Sequence, residues 1–207
     1  MKWLLITVAC GMALVAAAKP GCVAFDDATA GNSPIGWEAT ETGIGTARWS
    51  VERDASAPSP TQVLKQSGEA QFPVCIFQKA EIADGFVEVK FKPVAGKEDQ
   101  AGGVIFRVKD KDDYYVARAN ALEDTVELFH TLRGNRQSIK SADIKVSAQQ
   151  WHRLRTEFRG PHITVYFDGK LMVETNDEAL KGPGKVGVWT KSDSVTLFDD
   201  FCFGDLK

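Results

Sequence analysis

The sequence predicts an all-β protein, a jelly-roll β-sandwich built from two antiparallel sheets. From Val23 onward the apolar residues follow no convincing helical period, and they form short runs that alternate with polar residues or are fully apolar. Val, Ile, Phe, Tyr and Thr dominate these runs, as is typical of pleated, half-buried strands. Gly, Pro, Asn and Asp interrupt the runs roughly every 8 to 12 residues, the spacing expected of a sandwich or jelly roll.

The predicted strands follow one another along the chain after Val23. In order they are VAFDD, RWSVE, TQVLKQ, PVCIFQ, FVEVKFKPV, GGVIFRVK, YYVARAN, TVELFHTL, WHRLRTEF, HITVYFDG, LMVETN, KVGVWTK and VTLFDDFCF. Asp168-Gly169 is a two-residue hairpin signal between two of these runs. The segment Asp54–Pro60 has the composition of a loop, and no internal repeat or low-complexity linker divides the chain. We therefore predict a single jelly-roll domain over residues 19–207.

Residues 1–18 have the layout of a secretory signal peptide. Lys2 supplies a positive charge, an apolar run extends from Trp3 to Val15, and the small residues Ala16 to Ala18 form a cleavage site. The apolar run is shorter than the roughly 20 residues that span a bilayer. We therefore expect cleavage after Ala18 and an exported protein, either periplasmic or extracellular.

Charge and composition argue against several classes of partner. Acidic residues outnumber basic ones by 28 to 25, so the formal net charge is −3. Nucleic acid is not expected as a partner, because phosphates require clustered Lys and Arg. The sequence contains no amphipathic helix that would hold the protein on a membrane after the signal is removed. A monomer is expected.

Three cysteines remain after the signal peptide, namely Cys22, Cys75 and Cys202. An oxidising compartment permits one disulfide and leaves one thiol. Cys22 and Cys202 lie near the two ends of the domain, which are often neighbours in space, so this pair is favoured. Cys75 lies in an apolar strand and is expected to be a buried free thiol. The spacing of the three is not that of a metal site.

One predicted strand, YYVARAN, carries polar residues in an unusual place. Because successive side chains of a strand point to opposite faces, Tyr114, Arg118 and Asn120 share one face. Tyr115 and the intervening small alanines share the other face, which suits a packed interior. Tyr114, Arg118 and Asn120 are therefore predicted on the exposed face, as the polar floor of a carbohydrate-binding groove.

Neighbouring strands offer further candidates for this groove. Arg107 lies on the side of its strand opposite its apolar neighbours, and His130 alternates with apolar residues in TVELFHTL. Trp189 and Lys191 share one side of KVGVWTK, and Asp193 follows in the next loop. Trp189 could stack on a pyranose ring, although a core position is an equal alternative.

The polar candidates have structural alternatives as well. Arg118 could pair with Glu123, Glu127 or another acid across the sheet, and Asn120 could cap the turn that follows it. His130 could be a packed or surface histidine, and Glu123 could be a solvated turn residue.

Long stretches of the chain resemble the DUF1080 family, also called the 3-keto-disaccharide hydrolase domain. The resemblance rests on DQAGGVIFRVKDKDDYYVARANALEDTVELFHTLRGNRQSI, WHRLRTEFRGPHITVYFDGKLMVE and GPGKVGVWTKSDSVTLFDDF, and it extends from Val23 to Phe203. The fold of that family is similar to the concanavalin-A-like lectin/glucanase jelly roll.

The resemblance implies action on glycosides whose C3 hydroxyl has been oxidised to a ketone. Such a reaction needs a base for the C2 proton, positive charge or hydrogen-bond donors for the enolate oxygen, and an acid for the leaving oxygen. The candidates for base or acid are His130, Glu123 and Asp193. The candidates for substrate binding are Arg107, Tyr114, Arg118, Asn120, Trp189 and Lys191. No cofactor is expected, although a divalent metal ion could stabilise an enolate.

Whether the protein is an enzyme at all stays open at this point. The alternative is a lectin-like module that binds glycans without cleaving them, and a purely structural role is a third possibility. A retaining glucanase of this fold would need carboxylates at E-x-D-x-x-E spacing on one strand. The nearest segment, LEDTVEL, places Glu123 and Asp124 side by side, so they would point to opposite faces of a strand.

Overall fold

Residues 20–206, which the computed structural model describes, form fifteen strands and one 3-10 helix, Phe25–Asp27. The predicted signal peptide, residues 1–18, lies outside the described residues. The strands are β1 Gly21–Val23, β2 Trp37–Thr46, β3 Trp49–Arg53, β4 Gln62–Gln66, β5 Glu69–Ile82, β6 Gly85–Ala95, β7 Ala101–Asp110, β8 Asp113–Asn120, β9 Thr125–Leu132, β10 Asn135–Asp143, β11 His152–Arg159, β12 His162–Phe167, β13 Lys170–Asn176, β14 Gly184–Trp189 and β15 Val195–Asp205.

The strands pair antiparallel in two sheets. One sheet has eight strands in the order β13-β12-β11-β6-β15-β4-β3, with β1 also paired to β15. The other has seven strands in the order β10-β9-β8-β7-β14-β5-β2. Consecutive strands such as β5, β6 and β7 alternate between the sheets, so the chain crosses repeatedly from one layer to the other. The predicted all-β jelly-roll sandwich is confirmed.

Two strands were not predicted, and both lie at the edges of the seven-stranded sheet. These are β2, with the sequence WEATETGIGT, and β10, with the sequence NRQSIKSAD. Both are rich in polar residues, as edge strands often are, because one side of an edge strand faces solvent rather than another strand. The predicted strand VAFDD is divided, since Val23 ends β1 and Phe25–Asp27 form the 3-10 helix.

The main core fills the space between the sheets. Tyr115, Ala117 and Ala119 of β8 point into it, as the alternation of YYVARAN predicts. Phe106 of the seven-stranded sheet stacks on Phe158 of the eight-stranded sheet, with ring centroids 4.8 Å apart. Each buried phenylalanine contributes roughly 1.5–3 kcal/mol, so this interdigitation of side chains holds the two layers together.

The two ends of the domain are joined. Cys22 on β1 faces Cys202 on β15 with their Cα atoms 4.0 Å apart, and a disulfide links them. This is the pair that the sequence favoured. Within the described part of the chain Cys75 is unpaired and buried, and burial raises the pKa of its thiol well above the ordinary value. Such a thiol packs as a small apolar side chain.

The seven-stranded sheet is rolled so tightly that distant strands meet across its outer face. Thr42 on β2 and Tyr114 on β8 are four steps apart in the strand order, which would be about 19 Å on a flat sheet. Yet Thr42 Oγ1 lies 2.9 Å from the Tyr114 hydroxyl, and it also donates a hydrogen bond to the carbonyl of Lys111. The outer face of the seven-stranded sheet, which we call the rolled face, is therefore closed near Thr42 and Tyr114. Its polar residues lie at the other end of the strands.

Candidate functional site

A second apolar cluster covers the rolled face itself. Trp189 stacks on Phe72 with ring centroids 5.6 Å apart, and its Nε1 donates to the Tyr114 hydroxyl at 3.3 Å. Tyr114 and Trp189 are both 0% exposed. The prediction that Tyr114 lines an exposed groove is therefore wrong, and for Trp189 the alternative of a core position is confirmed, because the rolling of the sheet encloses both rings.

Arg136 extends across this cluster from β10. The strand that carries Phe72, β5, is five steps away in the sheet. Nevertheless the guanidinium carbon of Arg136 lies 4.6 Å from the ring centroid of Phe72, 4.3 Å from that of Phe129 and 5.4 Å from that of Trp189. Aromatic faces attract a cation electrostatically, so the three rings hold this guanidinium in place. Burial lowers the pKa of Arg136, and the nearby charge of Arg118 lowers it further.

Arg118 is the centre of a polar cluster at the open end of the face. Its register partner on β9 is Glu127, and Arg118 Nη2 lies 2.9 Å from Oε2 of Glu127 and 2.6 Å from Oε2 of Glu123. The Arg118 side chain is only 2% exposed. It thus lies on the predicted face, but the prediction that it is exposed there is wrong.

Glu123 is the most accessible carboxylate of the cluster. It lies in the β8–β9 turn, its side chain is 42% exposed, and its Oε1 is 3.9 Å from Nζ of Lys191. The hydrogen bond from Arg118 lowers the pKa of Glu123 and outweighs the opposing effect of burial. Glu127 is more enclosed, and its Oε1 accepts a hydrogen bond from the Ser138 hydroxyl at 2.5 Å. Glu123 is therefore ionised at neutral pH and reachable from solvent.

Lys191 and Asn120 both hold Asp99, which lies in the loop before β7. Nζ of Lys191 is 3.0 Å from Oδ2 of Asp99, and Nδ2 of Asn120 donates to Oδ1 of Asp99 at 2.8 Å. Oδ1 of Asn120 accepts from the backbone N–H of Leu122, which caps the β8–β9 turn. Asn120 is fully buried, so it supports the site and does not face a ligand, contrary to the prediction. Lys191 is partly exposed and stays a candidate for binding.

Asp193 orders the loop that carries Asp99. Its carboxylate accepts backbone N–H groups from three successive residues, Lys97 at 2.6 Å, Glu98 at 3.1 Å and Asp99 at 3.0 Å. Burial alone would raise the pKa of Asp193, but these N–H groups outweigh it and hold the pKa below its ordinary value. Backbone N–H groups occupy both oxygens of this carboxylate, so neither oxygen is free for the acid–base role that the sequence suggested for Asp193.

His130 lies on the other face of the sheet from the cluster. It is the register partner of Tyr115, whose ring packs in the core between the sheets, and the two ring centroids are 6.4 Å apart. Its Nδ1 is 3.7 Å from Oδ1 of Asp177. The prediction that His130 joins Arg118 is wrong, because the alternation of β9 puts Glu127 on the rolled face instead.

Arg107 lies far from the cluster, between the sheets at the opposite end of the sandwich. A β-bulge interrupts the pairing of β7 with β8 after Phe106, and Arg107 has a φ angle of 49°. Its guanidinium donates to three backbone carbonyls, those of Ala83, Gly160 and Leu180. It also lines a small pocket of about 280 Å³. The prediction that Arg107 joins the groove is wrong, because the bulge breaks the alternation on which it rested.

The structure adds Asp99, Glu127 and Arg136 to the site. The sequence suggests Glu127 only as an ion-pair partner of Arg118, and the register of β8 with β9 places it directly opposite Arg118. Arg136 lies on an unpredicted edge strand, and Asp99 lies in a loop, so no sequence period marks either of them. Among residues 20–206 no three His, Cys, Asp or Glu side chains are arranged to hold a metal ion. In the same range no helix is long and apolar enough to cross a membrane.

Solved structures share this fold. The carbohydrate-binding module CBM66 from Bacillus subtilis superposes with a TM-score of 0.64 and 20% identity, over 82% of this chain and 96% of that module. Domain 4 of AbnA, an extracellular arabinanase from Geobacillus stearothermophilus solved with arabinotriose, has a TM-score of 0.61 and 12% identity, over 91% of this chain and 93% of that domain. At these identities the likeness shows the fold alone.

Sequence comparison identifies relatives as well. Levanase from Bacillus subtilis (strain 168) is 26% identical over 102 residues, which are 48% of this chain and 15% of the levanase. The match therefore spans only a small part of that enzyme. The 3-keto-alpha-glucoside-1,2-lyase-like domain matches residues 23–201, almost the whole of the described fold. The chain belongs to the 3-keto-alpha-glucoside-1,2-lyase-like domain family.

Proposed function

We propose that this protein binds a glycoside at the open end of the rolled face and cleaves 3-keto-glycosides by elimination across C1 and C2. One observation carries the proposal. Glu123 is a solvent-accessible, ionised carboxylate held 2.6 Å from Arg118 and 3.9 Å from Lys191. The arrangement combines a base with two cations, as this elimination requires. The family to which the chain belongs supports the choice of reaction.

The reaction follows from the chemistry of the oxidised sugar. A ketone at C3 makes the C2 proton acidic, and a base that removes it leaves an enolate across C2 and C3. When the ketone reforms, the electron pair creates a C1–C2 double bond, and the C1–O bond breaks with its electrons going to the leaving oxygen. That oxygen takes a proton, and water can then add across C1 and C2, so the net result is hydrolysis. No electrons are exchanged with a cofactor.

The residues of the cluster can be assigned to these steps. Glu123 is the base, since it is the accessible carboxylate, and its lowered pKa keeps it in the proton-accepting form. Arg118 supplies positive charge for the enolate oxygen. Lys191 lies beside Glu123 on the exposed side and is placed to protonate the leaving oxygen. Glu127 holds Arg118 from the other side and does not act on the substrate.

A lectin-like module that binds glycans without turnover is the second candidate. The observation that favours it is the pairing of carboxylates, because both Glu127 and Asp99 already have cationic partners. The likeness to a carbohydrate-binding module is consistent with either reading. We also propose export to the periplasm or beyond, on the basis of residues 1–18 and the Cys22–Cys202 disulfide, which suits an oxidising compartment.

Release of a chromogenic leaving group from a 3-keto-glucoside tests the reaction. Glu123→Gln is expected to slow release by about 100-fold or more, the usual scale of general-base catalysis, while calorimetry still detects sugar binding. The control is Glu174→Gln, since Glu174 is an exposed carboxylate on β13 in the eight-stranded sheet. Sugar binding without release by the unmodified protein would favour the module. Neither binding nor release would contradict both candidates.

A further inference from the structure

Three guanidinium nitrogens on the rolled face are buried without a hydrogen-bond acceptor. They are Nε and Nη1 of Arg118 and Nη1 of Arg136, and none has an acceptor among residues 20–206. Well over nine in ten buried backbone groups, and most buried side-chain polar atoms, are satisfied in native proteins. An unpaired buried donor is destabilising, and more so when it is charged. These three nitrogens are therefore poised to gain from an acceptor that a ligand brings.

The two arginines that carry them are neighbours. Their guanidinium carbons lie 5.3 Å and 4.3 Å from the ring centroid of the same residue, Phe129. The charge of Arg118 also lowers the pKa of Arg136, after the larger effect of burial, as expected for two cations on the same ring. Like charges at close range are unfavourable, so an acceptor shared between them would relieve both repulsion and unmet hydrogen bonding.

The carboxylates of the cluster pair with other nitrogens than these three, since Glu123 and Glu127 both accept from Nη2 of Arg118. Glu127 accepts from Arg118 Nη2 and from Ser138, whereas Asp99 accepts from Asn120 and Lys191. The stacking of Arg136 on aromatic rings fixes its guanidinium without using its N–H groups. The free donors thus belong to two side chains that hold their positions by other contacts.

We infer that Arg118 and Arg136 together form a donor-only subsite for an oxygen that accepts hydrogen bonds and donates none. In the proposed reaction, on which this inference rests, that oxygen is the C3 ketone, which becomes the enolate oxygen. A guanidinium has N–H donors and no acceptor. Against these three N–H groups the hydrogen of a C3 hydroxyl finds no acceptor, so the subsite selects the oxidised sugar over its parent alcohol.

The subsite would act on specificity and on the reaction together. A site built from fixed buried donors rejects a ligand that cannot satisfy them far more strongly than an apolar pocket rejects a misfit. The same donors gain strength as negative charge develops on the oxygen. Because the nitrogens are buried, the inference requires the side chain of Glu123, the exposed partner of Arg118 on the β8–β9 turn, to move aside when the oxygen binds.

Calorimetry with sugars that lack either the glycosidic leaving group or the C3 ketone tests the subsite without turnover. The probes are 3-keto-1,5-anhydroglucitol, its parent 1,5-anhydroglucitol, and methyl glucuronide, whose carboxylate is a different acceptor-only group. The unmodified protein is expected to bind the ketone at least about 10-fold more tightly than the parent. Arg136→Gln should remove most of this preference. It should lower the affinity for the ketone by about 10- to 100-fold and change the affinity for the parent by less than about threefold.

Two further variants guard against misfolding and general effects. Arg136→Lys keeps the charge but not the planar donor, and it is expected to restore part of the ketone preference if the variant melts near the unmodified protein. Arg155→Gln is the matched control, because Arg155 lies 4.0 Å over the Phe86 ring on the other sheet and pairs with Glu157. It should leave all three affinities unchanged.

The outcomes distinguish a failure of this inference from a failure of the proposed function. Equal binding of ketone and parent by the unmodified protein, or an equal loss of both in Arg136→Gln, would overturn the subsite while leaving sugar binding intact. If methyl glucuronide binds most tightly of the three probes, the subsite recognises a carboxylate, and the inference that it binds a ketone oxygen is overturned. If none of the three probes binds, the proposed function fails for glucosides, and the subsite fails with it.

Discussion

Glu123 and Arg118 form an ion pair in which the carboxylate is exposed and the guanidinium is buried. Their Oε2 and Nη2 atoms are 2.6 Å apart, yet the Glu123 side chain is 42% exposed and the Arg118 side chain is 2% exposed. An exposed carboxylate can change rotamer or contact a ligand at little cost in free energy. A buried cation that loses its partner is strongly destabilising. The pair therefore divides its roles, with Arg118 fixed in the fold and Glu123 available for chemistry.

Removal of the sealed cation should cost much more stability than removal of the open carboxylate. Arg118→Met leaves Glu127 without its cation in an enclosed position, and breaking a buried pair costs about 3–5 kcal/mol. Glu123→Ala should cost less than about 1 kcal/mol, as exposed pairs do. Urea unfolding measures both, and the double variant Arg118→Met with Glu127→Met should recover part of the loss. Equal small losses would show that Arg118 does not organise the cluster.

The ion pair also predicts how stability depends on pH. The pKa of Glu123 lies below its ordinary value of 4.5 in the folded protein, chiefly through the hydrogen bond from Arg118. A carboxyl group shifted in this direction stabilises the fold above its unfolded pKa, and this contribution is lost as the pH falls through the folded pKa. The unmodified protein should therefore be more stable than Glu123→Gln at pH 6, and the difference should vanish at lower pH. A difference that grows on acidification would contradict the assigned shift.

Asp193 should affect binding more than the chemical step. Its carboxylate holds the N–H groups of Lys97, Glu98 and Asp99, and an amide at this position can accept with only one oxygen. Asp193→Asn should weaken sugar affinity by roughly 3- to 10-fold through loosening of the loop. The rate of release at saturating sugar should change little. A loss confined to the rate at saturation would instead make Asp193 a catalytic residue.

His130 should be dispensable for turnover. It points away from the rolled face and packs edge-on to Tyr115. His130→Gln is expected to leave the rate of release and sugar affinity within about twofold of the unmodified protein, as substitutions outside special positions do. A loss of rate as large as that expected for Glu123→Gln would require the site to lie elsewhere.

The sequence predicts which face of β8 each residue occupies, but not which face is covered. Tyr115, Ala117 and Ala119 point into the core as expected, and Tyr114 and Arg118 lie opposite them. Their burial depends on the rolling of the sheet, which brings distant strands together. Strand register and curvature are set by contacts between segments far apart in the chain, so one strand's pattern cannot reveal them.

The errors in the predicted site have local causes. A bulge redirects Arg107, because the register between β7 and β8 shifts between Phe106 and Asp110 and breaks the alternation of β7. Arg136 belongs to an edge strand whose polar sequence gives no periodic signal. The structural alternative for Arg118, pairing with Glu123 or Glu127, is what the structure shows, since Arg118 contacts both carboxylates. Lys191 lies beside Glu123 at a strand end, a position where polar residues suggest function.

A crystal structure of Glu123→Gln with a 3-keto-glucoside bound would test the central claim most directly. The account predicts that the ketone oxygen lies within hydrogen-bond distance of both Arg118 and Arg136, with C2 of the sugar facing position 123. A sugar bound on the outer face of the eight-stranded sheet, or beside Arg107 at the opposite end, would contradict it.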